Sequence, residues 1–228
     1  MLVSDAKIQT LASFPCATII ILGHLAYTIK KYCLNKDMEQ KKKYYRLLQR
    51  GYMELPNKKY NIIYADPPYH FKHWNDETVT RKVPYDVMSK EEIYNLPVQD
   101  ICAKDCILFL WVTFPKLLDG LETMKQWGFI YKTVGFNWIK KNKKADSFFW
   151  GLGYWTRSNS ELCLIGTKGK PKRKSMGVHQ IVYEPIREHS RKPDCVRDRI
   201  VELCGDLPRI ELFARQRVKG WDSWGDEI

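Results

Sequence analysis

At 228 residues, 44% of them apolar and 28% charged, the chain has the size of one ordinary domain, which buries about 70% of its unfolded surface. A formal charge of +12 and a pI near 9.3 suggest a polyanionic partner, because lysines and arginines that neutralise phosphates release counterions. Seven cysteines, an odd number without a C-x-x-C pair, argue against a disulfide framework and a zinc site; no metal is expected, and the setting is intracellular and reducing, cytoplasmic if the source is a bacterium or phage.

Leu11 to Ile29 is mostly apolar and is followed by Lys30 and Lys31. Ser13, Pro15, Thr18, Gly23 and His24 interrupt it, with neither a basic leader nor a small-residue cleavage site, so a peripheral helix or an extension is expected rather than a membrane span. Asp37 to Gln49 is a charged helical pattern with Tyr44, Tyr45, Leu47 and Leu48 on one side, ending near Gly51. Residues 1–55 therefore read as an N-terminal extension and 56–228 as the main domain.

The run Asn61-Ile62-Ile63 is a short, continuously apolar strand of the kind helices cover on both faces, and it leads into Tyr64-Ala65-Asp66-Pro67-Pro68-Tyr69. Two prolines fix φ, lack an N–H and hold the backbone after Asp66 extended, so an acid, a carbonyl and an aromatic ring are presented together. The C-terminal end of such a strand is where open α/β sheets bind ligands. An amino group on an aromatic ring is a poor nucleophile, because its lone pair is delocalised. Asp66 and the Pro67 carbonyl, both accepting its N–H bonds, would favour the pyramidal nitrogen that attacks, while Tyr69 stacks on the ring. A plain strand followed by a proline turn, with Asp66 as a cap, is the alternative reading.

Beyond the turn, His70 to Pro84 is polar, dotted with aromatics and aperiodic, as in a mobile loop over a site. Ser89 with Glu92 is a capping box opening a short helix that stops before Pro97. Cys106 to Val112 is a buried strand; Thr113 with Pro115 opens a helix that Gly128 closes; Phe129 to Ile139, Ser160 to Gly166 and Val178 to Tyr183 are strands. Pro193 to Cys204 is a helix ended by Gly205, and Arg209 to Ala214 is the last strand. This β, α, β, α order predicts an α/β fold with a doubly wound, mainly parallel sheet and no internal repeat.

Between Lys140 and Lys174 lie ten basic residues, among them Lys141 and Arg157, and two acidic ones, Asp146 and Glu161, a balance of +8. Phe148, Phe149, Trp150, Tyr154 and Trp155 are interleaved with them, which suits a surface that grips phosphates and stacks on unpaired bases; a solvated loop pair with its aromatics in the core is the other reading. Gly151-Leu152-Gly153 is no dinucleotide fingerprint, since it lacks the third glycine and opens no helix.

From about Tyr60 onward the chain carries, in order, Ala65-Asp66-Pro67-Pro68-Tyr69, Pro84-Tyr85 with Met88-Ser89, Leu110-Trp111-Val112-Thr113, Trp127-Gly128, Trp138-Ile139-Lys140, Glu161 to Gly166 with Lys168-Gly169, Ser190 to Asp194, Ile210 to Arg215, and Trp221 with Trp224 to Glu227. In that order and spacing these pieces resemble the MT-A family of adenine-N6 methyltransferases. It implies a Rossmann-like S-adenosylmethionine-dependent methyltransferase fold with permuted motif order.

The activity it implies is methyl transfer from S-adenosyl-L-methionine to the N6 amine of adenine in nucleic acid, DNA favoured; an RNA adenosine N6-methyltransferase or a catalytically silent nucleic-acid-binding partner subunit is the alternative, and the assembly is a homodimer or a pair with a partner subunit. Asp66, Pro67, Pro68 and Tyr69 match the catalytic motif, and Asp66 stands at the junction of cofactor and base. Lys192 matches the lysine that pairs with the cofactor's carboxylate, Arg215 a ribose-side contact, and Asp226 and Glu227 the side chains for the cofactor's ribose and adenine. Arg217 falls at a further cofactor position, where the eukaryotic enzyme carries histidine, and Val218 replaces an asparagine. Tyr69, Tyr85 and Glu161 match the target-base pocket, with Lys140, Lys141 and Arg157 as nucleic-acid contacts. Tyr69 replaces the tryptophan of the eukaryotic enzymes, as in many DNA adenine methyltransferases. The targeting and zinc-finger regions of the eukaryotic enzyme have no counterpart in these residues.

Overall fold

The computed structural model describes residues 54–69, 88–153, 155–188 and 190–228, together with Met38. The chain divides into two compact units, Met1–Lys43 and Tyr44–Ile228, and every described residue except Met38 belongs to the second. The apolar stretch 11–29, the helix expected over 37–49 apart from Met38, the loop expected over 70–84, and Tyr85 lie outside the described residues. No helix among the described residues is long and apolar enough to cross a membrane.

Seven strands form one sheet: β1 Tyr60–Ala65, β2 Cys102–Val112, β3 Ile130–Lys141, β4 Ser160–Lys168, β5 Ile181–Pro185, β6 Arg209–Leu212 and β7 Asp222–Trp224, in the spatial order β5-β3-β4-β2-β1-β6-β7. β1 runs parallel to β2 and β6, β6 to β7, and β3 to β5. Only β4 is reversed, antiparallel to both β2 and β3. The sheet is thus α/β and mainly parallel, as expected, with one correction to the strict alternation. No helix is described between β3, β4 and β5, and an antiparallel neighbour needs no crossover helix.

Along β2 the side chains alternate between two cores. Cys106, Leu108, Leu110 and Val112 pack on one face with Ile93, Met124 and Trp127, and Ile107, Phe109 and Trp111 pack on the other with Val196, Ile200 and Cys204. The first set belongs to helices α1 (Lys90–Tyr94) and α2 (Leu117–Gln126) and the residue that follows α2; the second belongs to α3 (Cys195–Cys204). Helices therefore cover both faces, which is why β1 from Ile62 and β2 from Cys106 are apolar without polar alternation.

Local signals set the boundaries. The Ser89 hydroxyl accepts from the Glu92 N–H at 3.2 Å while the Glu92 carboxylate accepts from the Ser89 N–H at 2.8 Å, so the expected capping box opens α1. Thr113 and Pro115 lead into a 3-10 turn, Phe114–Lys116, before α2, and Gly128 at φ 77° terminates that helix in a conformation costly for other residues. α3 begins at Cys195, two residues later than the sequence suggests, and β5 is shifted to Ile181–Pro185. β7 was not anticipated at all.

Candidate active site

Ala65 pairs with Leu110 on one side and Leu212 on the other, so Asp66 emerges at the C-terminal edge between the ends of β2 and β6. Because β4 runs backwards, its first residues reach the same edge: Leu162 pairs with Val112, and Glu161 with Trp138. A cleft of about 510 Å³, partly open to solvent, lies there. Asp66 to Tyr69, Trp111 to Thr113, Glu161, Ser190, Lys192 and Arg215 line it. The structure thus brings together seven of the residues singled out from sequence: Asp66, Pro67, Pro68, Tyr69, Glu161, Lys192 and Arg215.

The proline turn is held by its own backbone. Tyr69 N–H donates to the Pro67 carbonyl at 2.8 Å, and Met88 N–H to the Pro68 carbonyl at 3.0 Å. The Pro67 carbonyl is therefore not wholly free, although an oxygen has a second lone pair. Tyr69 is buried, and its hydroxyl lies 2.7 Å from that of Thr123. Thr123 donates to the Asp119 carbonyl at 2.8 Å, so Tyr69 is the donor between the two hydroxyls. Burial pushes the phenol well above its ordinary value, which keeps that donor in place.

A row of alternating charges crosses the cleft wall. Lys192 Nζ donates to Asp66 Oδ2 at 2.6 Å and lies 3.3 Å from Glu161 Oε2, and Lys140 Nζ donates to Glu161 Oε1 at 2.5 Å. Burial pulls the Lys192 ammonium down, but Asp66 and Glu161 outweigh it and hold it above the usual lysine range. Burial also raises the Glu161 carboxyl, and there Lys192 and Lys140 prevail and keep it low. At Asp66 burial dominates and pushes the carboxyl up, with Lys192 pulling against it. Lys192 lies 5.6 Å from the Trp111 ring centre and Lys140 5.0 Å from that of Trp138, so each ammonium has an aromatic floor.

The segments that carry the cleft cations are strained. Ser190, two residues before Lys192, and Phe213, two before Arg215, are the two non-glycine residues at positive φ among the described ones, both at 61°. Asp194 braces the first segment: it accepts from Arg187, from Arg191 at 3.0 Å and from Arg197 at 2.9 Å. Burial raises its carboxyl, and the three guanidiniums together bring it below the ordinary range. The second segment is fixed by β7. Ala214 N–H donates to the Trp224 carbonyl at 2.9 Å, and a Cβ on Gly225 would meet the Ala214 oxygen at 2.5 Å. This close return places Glu227 beside Arg215, at 3.4 Å.

Other expected residues stand apart. Asp226 is exposed and is not among the cleft-lining residues. Arg217 borders a second depression with Lys58, Tyr60 and Asp222, where β1 and β7 begin rather than where β1 ends. Lys141 pairs with Asp146 at 2.7 Å, and Arg157 lies over the exposed Trp150 ring at 5.7 Å. Trp111, Thr113 and Ser190 line the cleft without having been assigned a role from sequence. The Thr113 hydroxyl oxygen is buried with no hydrogen-bond partner, a signal that only coordinates carry. Among the described residues no group of three or more His, Cys, Asp or Glu side chains is placed to hold a metal ion.

Residues 60–227 match the sequence model of the family described as MT-A70. The type II methyltransferase M.MunI from a Mycoplasma species is 34% identical over 200 residues, covering 79% of this chain and 83% of that protein. The MT-A70-like N(6)-adenosine-methyltransferase of Arabidopsis thaliana is 31% identical over 173 residues, 74% of this chain and 24% of that protein. Human METTL3, the catalytic subunit of an N(6)-adenosine-methyltransferase, is 29% identical over 175 residues, 75% of this chain and 28% of that protein. The chain therefore spans about a quarter of the length of these two adenosine enzymes.

Proposed function

The chain belongs to the MT-A70 family of adenine-N6 methyltransferases, and on that premise we propose that it methylates adenine in DNA with S-adenosylmethionine as methyl donor. The observation that carries this reading is the convergence of Asp66, Tyr69, Lys192 and Arg215 on one cleft at the C-terminal edge of β1. DNA is favoured because the match to the type II methyltransferase runs over 83% of that protein, against about a quarter of the two adenosine enzymes.

The residues present fit the donor. Its carboxylate suits the Lys192 ammonium, its ribose hydroxyls suit the Arg215–Glu227 pair with Asp226 nearby in sequence, and the unpartnered Thr113 hydroxyl offers one more bond within the cleft. Bound there, S-adenosylmethionine supplies a methyl group on a positively charged sulfur. The chain's own residues supply orientation. Adenine is flipped from the stack, since its amine is out of reach inside a duplex. Tyr69, held by Thr123, gives the base a fixed wall. Asp66 accepts an N–H bond from the amine, localises the nitrogen lone pair toward the methyl and takes up the proton the nitrogen loses. Its burial suits that last task by making the carboxyl a better base than an exposed aspartate.

The loop from Asn142 to Asn159 joins β3 to the reversed β4 and so lies at this same edge. Phe148, Trp150 and Trp155 are exposed on it, Trp150 at 73% and Trp155 at 91%, so these aromatics are not core residues. With Lys143, Lys144 and Arg157 they fit a strand flanking the flipped base. The test is mass spectrometry of nucleosides from DNA and from RNA incubated with enzyme and donor. N6-methyladenine appearing in the DNA, and vanishing with Asp66→Ala in a variant of unchanged melting temperature, is the expected result. Methylated RNA alone refutes the DNA preference, and full turnover by Asp66→Ala refutes the site.

A further inference from the structure

Lys192 is shared by two carboxylates at unequal distances, 2.6 Å from Asp66 and 3.3 Å from Glu161. Both carboxylates are acceptors for the same ammonium, so whatever weakens the hold of one strengthens that of the other. Glu161 uses its two oxygens separately, Oε1 for Lys140 and Oε2 for Lys192. Lys140 does not reach toward solvent: its side chain is 17% exposed and lies over the Trp138 ring. That ring is itself fixed, since Trp138 Nε1 donates to the Glu184 carbonyl at 2.9 Å and the indole meets Trp111 edge-on at 6.4 Å. Trp111 in turn donates to the Tyr64 hydroxyl at 2.6 Å. Two anchored tryptophans thus carry two lysines, with Glu161 between them.

We propose that Lys140 is a positioning residue: by holding Glu161 it keeps Lys192 shared with Asp66, so that Asp66 stays ionised and able to accept the target amine. This deepens the methyltransferase reading in its last clause and is independent of it in the first. With Lys140 neutral, Glu161 loses one of its two cations and claims Lys192 as sole counterion. Asp66, left with the weaker share, becomes protonated at a higher pH. The other groups around it do not compensate. Arg215 beyond β6 pulls the carboxyl down, while Glu211 on β6 and Glu161 on β4 are of like charge. The Cys163 thiol on β4 and the Tyr69 phenol are both pushed up and stay neutral. Around Glu161 itself the cations are Lys140 from β3 and Lys192.

The experiment compares wild type with Lys140→Met, Lys140→Gln and Lys140→Arg, all checked for an unchanged melting temperature; glutamine serves if methionine disturbs folding. Carbon-13 carboxyl titration of the donor-free protein, assigned with Glu161→Gln and Asp66→Asn, reads the charge row directly. Both midpoints are expected to rise in the neutral variants, Glu161 by about one pH unit, a tenfold change in its proton equilibrium, and to return with Lys140→Arg. Unmoved midpoints overturn the proposal whether or not the protein methylates anything. On the activity side, the acid limb of kcat against pH is expected to shift upward by a similar amount, with the KM for DNA changed less than about threefold. A raised KM with an unshifted limb would make Lys140 a substrate contact and overturn the proposal. Absence of any methyl transfer by wild type would instead overturn the function and leave the titration to judge Lys140.

Discussion

Lys192 carries more of the site than its place in the sequence suggests. Read along the chain it is a lysine near a helix start, slightly disfavoured by the helix dipole; in space it stands between Asp66 and Glu161 over an indole. An ammonium shared by the partly buried Asp66 and Glu161, with Lys140 as the second cation of the row, makes the cleft possible before any ligand arrives, since unpaired buried charges are costly. Lys192→Ala is therefore expected to weaken S-adenosylmethionine binding by at least about tenfold in calorimetry, the loss of one charge-assisted bond, while the DNA affinity stays within about threefold. Unchanged donor affinity would remove Lys192 from the donor site. Asp66, Lys192 and Arg215 were legible because their motifs are distinctive. Thr113 and Ser190 stand in matched motifs but no role could be read for them, because an unpartnered hydroxyl and a positive φ at serine leave no trace in residue type.

At the level of elements, α3 and β6 are locked together by a buried ion pair. Arg197 donates to Glu211 through Nε and Nη2, both at 2.7 Å, and lies over the Tyr64 ring. Burial raises the Glu211 carboxyl and Arg197 opposes it, so the pair is stable only while both members are present. The lock matters for the site because Lys192 precedes α3 and Arg215 follows β6. Arg197→Met is expected to destabilise the protein by about 3–5 kcal/mol in urea unfolding, the usual cost of stripping one partner from a buried pair. A loss below about 1 kcal/mol would show that the carboxylate finds another partner. The helices and the central strands could be anticipated because capping, proline and apolar runs are local signals. β4's reversal and β7 could not, because direction and pairing depend on which neighbour a strand finds, and β7 is only three residues long.

For the whole molecule, the charge of +12 becomes meaningful through its placement. The end of β3 and the loop after it, with exposed aromatics and Lys141, Lys143, Lys144 and Arg157, lie at the same sheet edge as Asp66, whereas Arg217 lines a depression at the opposite edge. Filter binding of DNA is expected to weaken at least about tenfold between roughly 50 and 200 mM salt, as neutralisation of two or more phosphates requires. A salt-independent affinity would dissociate the basic loop from substrate binding. The aromatics add a term that salt screens little, so Trp150→Ala with Trp155→Ala should lower affinity at every salt concentration without changing the slope.

Residue order alone determined the apolar strand ending in Asp66-Pro67-Pro68-Tyr69, the capped helix at Ser89, the two-faced core and the family, because each rests on chemistry within a few positions or on motif spacing. Tertiary structure decided that Glu161 and Lys140 join Asp66 and Lys192 in one row, that Arg217 does not join the cleft, and that the basic loop lies beside the site. For the row and the loop the physical reason is the reversed β4. One strand running against its neighbours carries its first residues to the edge where the others end, and no local property of its sequence states that direction.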